Sequence, residues 1–410
     1  MHSKAYLTTT AIAATIALSM PVQTHAQARA QGAAADTAND PIRELVGRLD
    51  LEQYKATVKG LTQFGDRRQG TERNRKAVDW IEAQLKSYGC TNTERIKYTY
   101  NAPPPRPRPT GGRAGGRGRG DMASGGGRIR GIRARTGVNN DSLKQPDPAI
   151  RAIDTEQSSN GLREEVYCTK VGTTHPDEMY IVGGHMDGIG WGQAANDDGS
   201  GTALVMQLAR VFSSPDVKTD RSIRFILWNN EETGLNGAKA YVEQRQALQG
   251  KEDPAGSGKY PEPKWLGMIQ HDMMMFDHGM PRADGTLPPE QRPEADVNIE
   301  FQSASKQAEG AQKLAWFFQT ANERYATDYP ASVGQHMTNT DSDPFKDIVP
   351  AISLRENQRG EQVGAGWDPN WHQPTDLYTT YSDKDFRLGL NAAQTTLSAI
   401  AQLTGATVKK

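Results

Sequence analysis

Met179-Tyr180-Ile181-Val182-Gly183-Gly184-His185-Met186-Asp187 is a short apolar run, rich in β-branched and aromatic residues, that ends on an imidazole and a carboxylate. Its length and composition read as a strand running out into a loop. Downstream, Gly199 to Phe212 carries apolar residues at helical spacing, and Ile223 to Trp228 reads as a second strand, followed at once by Glu231 and Glu232. Trp265 to Ile269 is a third strand, ending just before Asp272. Strand, loop with ligand, helix, strand, loop with ligand is the rhythm of an α/β sheet. In such sheets a site forms where the carboxyl ends of the strands open into a crevice. The expected fold is α/β, a mixed but mostly parallel central sheet sandwiched by helices.

With Asp197 and His372, these loops supply two imidazoles and several carboxylates, the donor chemistry of a two-metal hydrolytic site. Asp and Glu are common, and eight His in 410 residues is ordinary, so the placement after apolar runs matters more than the residue types. Glu231 and Glu232 are adjacent, and neighbours leaving a strand point opposite ways, so the two do not share one role.

Five ordered blocks carry a resemblance. His185-Met186-Asp187, Ala195-Asn196-Asp197-Asp198-Gly199-Ser200-Gly201, Trp228 to Gly237, His271-Asp272-Met273 and His372-Gln373-Pro374-Thr375-Asp376 resemble the blocks of the zinc exopeptidases of metallopeptidase family twenty-eight. The resemblance runs from about residue 40 to 405 with one large insertion. It implies the zinc-dependent exopeptidase fold and two Zn2+ ions about 3.5 Å apart, bridged by Asp197. One zinc would add His185 and Asp272, the other Glu232 and His372. Glu231 would be the general base that takes a proton from the metal-activated water and passes it to the leaving amine. A ligating imidazole usually donates its other N–H to a carboxylate or carbonyl, so Asp187 is expected to orient His185, with Asp376 a further candidate beside His372.

The chain departs from that pattern in two places. Where many members have Ser-Asp-His, it reads Asp341-Ser342-Asp343-Pro344-Phe345, and the tyrosine that assists the tetrahedral intermediate in some members has no match near Thr340. Stabilisation of the intermediate then falls mainly to the metals or to a group the motifs do not place. His271, where the family is usually apolar, reads as a packed or solvent-facing histidine.

The resemblance implies an aminopeptidase acting on peptide substrates. Carboxypeptidase or dipeptidase action, a glutaminyl cyclase with one zinc, and a non-catalytic receptor-like module are alternatives on the same fold. The presence of His185 and Asp272 beside Asp197, Glu232 and His372 argues for two metals rather than one, and a receptor-like module loses ligands whereas here all five and the base remain. A net charge of −1 gives no global field toward nucleic acid or an anionic membrane.

Residues 1–28 read as a secretory signal: Lys4 precedes an apolar stretch from Ala5 to Met20, with small-residue cleavage points after Ala26 or Ala28. That stretch is shorter than the ~20 residues a membrane span needs. Export to a bacterial periplasm or medium is expected. There the two cysteines matter: Cys90 precedes a strand near Asn92 to Tyr100, and Cys168 lies late in a strand from Glu164 to Lys170. If these pair antiparallel, a Cys90–Cys168 disulfide follows.

Residues 41–405 read as one peptidase domain interrupted at 103–160 by a Pro/Gly/Arg-rich insertion, with nine arginines from Arg106 to Arg135 opposed by Asp121 alone. Its apolar content is too low to offset the entropy of ordering, so disorder is expected. Weak attraction for anionic polymers or surfaces would follow, without specific nucleic-acid binding, since no aromatic residue interleaves the arginines. Elsewhere, residues 41–88 read as two helices, later helices cover Gly237 to Arg245, Lys306 to Tyr325 and Asp383 to Leu403, and Pro281 to Pro293 is a surface loop. The loop Gly364 to Trp371 leads into His372, and its tryptophans are candidate pocket walls.

Overall fold

The computed structural model describes residues 40–104, 135–276, 297–335, 337, 339–356 and 368–409. The expectations for 1–28, for most of the Arg-rich run, for Pro281 to Pro293 and for Trp367 lie outside these residues.

Three helices open the domain: α1 Pro41–Val46, α2 Leu51–Thr62 and α3 Glu72–Ser87. The sequence reading gave two. The chain breaks where the Asp50 side chain accepts the Gln53 amide and caps α2, as Thr71 caps α3 through the Asn74 amide. Then follow β1 Glu94–Tyr100, α4 Pro148–Ile153, β2 Gly161–Lys170, β3 His175–His185, α5 Gly199–Phe212, β4 Val217–Lys218 and β5 Arg221–Trp228. The remainder is α6 Asn236–Arg245, β6 Lys264–His271, β7 Val297–Phe301, α7 Ala308–Tyr325, β8 Ala331–Gly334, β9 Ala351–Arg355, α8 Asp383–Leu403 and β10 Thr407–Val408. The short strands β4 and β10 pair separately.

Among the described residues the main sheet has eight strands in the order β1-β2-β5-β3-β6-β9-β7-β8. Its middle, β5-β3-β6-β9, is parallel, and β1, β2 and β7 bring the antiparallel pairings. The fold is therefore the expected mixed α/β sheet. Inside it the strand residues alternate between faces. Ile223, Phe225 and Leu227 join one core with α2, α3, α5, α7 and α8, while Ile226 and Trp228 join the opposite core with Tyr241 of α6, Trp265 and Phe345. Because both faces are covered, the central strands read as nearly continuous apolar runs.

Register places the site. His185 pairs with Trp228, Gly184 with His271, and His271 with Leu354, so β3, β5, β6 and β9 end side by side. The chain leaves β3 for β5 on one side and then returns from β5 across β3 to β6 on the other, and this reversal gathers the ligand-bearing loops around the carboxyl end of β3. Here α5 packs so closely on β3 that a Cβ on Gly184 would stand 2.7 Å from the Gly201 carbonyl carbon.

The expectation of disorder through residue 160 is too long. From Arg135 the chain is built into the domain: Gly190 donates its amide to the Arg135 carbonyl, Arg135 Nε donates to Gln373, and the Gln145 amide reaches the Trp191 carbonyl. Residues 148–153 form α4, capped by Asp147 with Pro148 in its first turn. The Gly/Arg repeats have ended by here in the sequence, and Ile150 of this helix is buried against the domain. The sulfurs of Cys90 and Cys168 are joined in a disulfide across the antiparallel β1–β2 pair.

Candidate metal centre

Beyond the strand ends the side chains converge in two groups. His185, Glu231 and Asp272 each bring one ligand atom within 4.8 Å of the others, and so do Asp197, Glu232 and His372. Asp197 spans both, with Oδ1 3.3 Å from His185 Nε2 and Oδ2 2.9 Å from His372 Nε2. Glu232 Oε2 also lies 2.9 Å from His372 Nε2. The adjacent glutamates thus part company, Glu231 toward the His185 group and Glu232 toward the His372 group.

The loops carrying these ligands are tied together. His185 Nδ1 faces the backbone carbonyl of Asp187 at 2.9 Å, with the Asp187 carboxylate 3.9 Å away. The orienting residue is the one expected, but the atom is its carbonyl, while its carboxylate accepts the Glu231 amide at 3.0 Å. Asp376 does not take up His372. The Asn196 and Asp197 amides bind its two oxygens at 2.9 and 3.2 Å, and Tyr381 donates to it at 3.0 Å. The chain after His372 turns back on itself, Asp376 donating its amide to the Gln373 carbonyl, and this carries the carboxylate under the Asp197 loop. His271 is fully buried between the Gly183 carbonyl at 3.0 Å and Thr396 Oγ1 at 2.8 Å, and burial lowers its pKa to about 4. It is a packed, neutral imidazole facing away from the ligands.

Several residues here carried no signal in the sequence. Asp198 accepts the amides of His185 and Gly201 at 2.9 Å and of Met273 at 3.1 Å, joining β3, the start of α5 and the chain after β6. Arg355 donates from Nη2 to Asp272 Oδ2 at 2.7 Å. Glu356 receives the Met275 and Phe276 amides and Asn196. Asp341, immediately before the aberrant Ser342-Asp343-Pro344, is fully buried and faces Gln270, whereas Asp343 pairs with Lys346. Of the loop tryptophans, Trp371 stacks on His372 with ring centres 4.1 Å apart.

Charge decides what this cluster can hold. Burial pushes the pKa of Glu231 well above the usual carboxylate range and that of Glu232 up to about 7. Burial also opposes ionisation of the imidazoles, yet Asp198 and Glu231 hold His185 well above its ordinary value, and Glu232 and Asp197 bring His372 to about 10. Asp197 moves the other way: burial resists its charge, but His185 and His372 keep its carboxyl below the usual range. Carboxylates crowded out of water around two imidazoles call for a cation, and imidazole with carboxylate is a zinc donor set. Glu232 Oε1 and His372 Nδ1 are buried without a hydrogen-bond partner among the described residues. The residues fit metal ions.

An α/β domain with candidate metal ligands on the loops beyond its parallel strands is the class of protein that the fold and the cluster define. The model of peptidase family M28 matches residues 165–395, more than half of the chain. The chain belongs to peptidase family M28. It is 33% identical over 115 residues to aminopeptidase YwaD of Bacillus subtilis (strain 168), covering 28% of this chain and 24% of that one. It is 36% identical over 73 residues to carboxypeptidase Q of Xenopus laevis, covering 18% and 16%. The chain therefore spans a quarter or less of the length of these curated relatives. Its fold is similar to that of an aminopeptidase from Aneurinibacillus sp. strain AM-1, with a TM-score of 0.57 and 20% identity over 88% of this chain and 96% of the other.

Proposed function

We propose that this protein is an exported di-zinc exopeptidase that removes the N-terminal residue from peptides. The observation that carries the reading is the division of Glu231 and Glu232 between two ligand groups that Asp197 spans. Such an arrangement suits two ions with a carboxylate left over for proton transfer. Zinc bound there supplies Lewis-acid polarisation of the scissile carbonyl and a lowered pKa for water.

The chain's own residues then divide the work. His185 and Asp272 would hold one ion and Glu232 and His372 the other, with Asp197 placed to serve both. Glu231 accepts a proton from the attacking water on its carboxylate and delivers it to the departing amine nitrogen. Burial favours that exchange, because it raises the affinity of Glu231 for a proton. The Asp187 carboxylate holds the Glu231 amide, which keeps the base beside the His185 group.

The likeness to carboxypeptidase Q supports the reverse polarity as a second reading. Hydrolysis of aminoacyl-p-nitroanilides beside N-blocked peptides decides between them, with zinc content measured on the same preparation. Cleavage of free-amine substrates, lost in Glu231→Gln, is the expected result, and cleavage of blocked substrates alone overturns it. No helix of the described residues is long and apolar enough to cross a membrane. Export rests on residues 1–28, and retention of the protein in the cytosol on cell fractionation would refute it.

A further inference from the structure

Arg355 closes β9 at the point where register sets Leu354 beside His271, so the two strands deliver Arg355 and Asp272 to the same place. The guanidinium is 1% exposed, an unusual place for an arginine. It divides the two oxygens of Asp272: Oδ2 accepts Arg355 Nη2 at 2.7 Å, while Oδ1 faces His185 Nε2 at 3.8 Å. Glu300 of β7 braces the guanidinium from behind, its Oε2 3.8 Å from Arg355 Nε. The charges of Glu231 and Asp197 also act on this arginine.

We infer that Arg355 is a positioning residue for Asp272: it fixes that carboxylate as a one-oxygen ligand and selectively supports the ion shared with His185. This rests on the zinc reading above and goes beyond it, since no motif of the chain marks Arg355. The physical reason is geometric. A carboxylate that nothing holds can swing or chelate through both oxygens, whereas the charged hydrogen bond from Arg355 Nη2 holds Oδ2 and leaves Oδ1 facing His185. Partners of ligating side chains typically contribute 10–100-fold to metal affinity. The effect falls on one position, because the structure pairs Arg355 with Asp272 and not with Glu232 or His372.

The test is zinc affinity of the purified protein, read by competition with a chromogenic chelator, in wild type, Arg355→Met, Asp272→Asn and the double variant. In Arg355→Met one ion is expected to bind as in wild type and the other about 10–100-fold more weakly. The double variant should lose no more than Asp272→Asn alone, because the arginine acts through that aspartate. Two ions bound with wild-type affinity in Arg355→Met, or losses that add in the double variant, overturn the assignment. A thermal melt checks the fold. If Arg355→Met does not fold, Arg355→Lys replaces it: a several-fold loss at one ion supports placement of the donor by the guanidinium, and unchanged affinity at both overturns it. A wild-type protein that binds no zinc fails at the earlier step and removes the zinc reading itself, so the two failures are distinct.

Discussion

Asp198 Oδ2 accepts the backbone amide of His185 at 2.9 Å, and its other oxygen accepts Gly201 and Met273. One buried side chain thus fixes the end of β3, the first turn of α5 and the residue after Asp272. Asp198→Asn keeps the shape but turns an NH2 group toward amides that need an acceptor. The expected cost is about 1–3 kcal/mol of stability, from a buried hydrogen bond left unmade at a helix cap. Urea unfolding of the metal-stripped protein measures it, and a variant as stable as wild type would remove Asp198 from this role.

Glu231 and Glu232 should separate by what each loses. Glu231→Gln is expected to lower kcat/KM by about 10²–10⁴ while both zinc ions stay bound, the range expected for a general base. Glu232→Gln should instead release zinc from the His372 position and lose activity in step with it. Elemental analysis beside the p-nitroanilide assay reads both. If the pattern is inverted, the two roles are exchanged.

The loops bearing His185, Glu231, Glu232 and Asp272 were legible in the sequence because each follows a buried parallel strand with a clear apolar run. The parts that hold the ligands were not. Arg355 ends an ordinary-looking strand, and nothing in Ala351 to Leu354 tells that the next residue turns inward to Asp272. The role of Asp198 depends on three amides from distant segments, and only register brings them together. Asp376 misled through proximity: four residues after His372 suggested a bond that the tight turn at Gln373 prevents. The C-terminal arm of the insertion was hidden by composition, because its docking uses backbone carbonyls of Arg135, Trp191 and Pro374, which sequence does not advertise.

Asp154 should give stability a pH dependence independent of the metal centre. Burial, with Asp66 adding repulsion, raises its pKa from 3.8 to about 7 against the pull of Arg73 and Arg68. A carboxyl that binds its proton more tightly when folded stabilises the native state at low pH. That contribution fades as pH rises from about 4 to about 7 and is absent above. Asp154→Asn should therefore match wild type near pH 4 and exceed it at pH 8 by on the order of 1–2 kcal/mol, a discounted value for a shift of this direction. Denaturation curves at the two pH values test this, and an equal difference at both would show that the carboxyl does not titrate in that window.

The Cys90–Cys168 disulfide closes a loop of 78 residues that contains the whole Arg-rich insertion. The bond removes conformational entropy from the unfolded chain, and more of it the longer the loop it closes. A loop of this length corresponds to roughly 2–5 kcal/mol. Mass spectrometry of the unreduced, alkylated protein should find no free thiol. The double variant Cys90→Ser, Cys168→Ser should unfold at lower urea by that free energy while its initial rate on aminoacyl-p-nitroanilides stays near wild type, since both cysteines lie on the β1–β2 edge of the sheet and the ligands on loops from its centre. Alkylated cysteine in the unreduced protein would sink the prediction. A double variant as stable as wild type would mean that β1 and β2 hold the insertion without a cross-link.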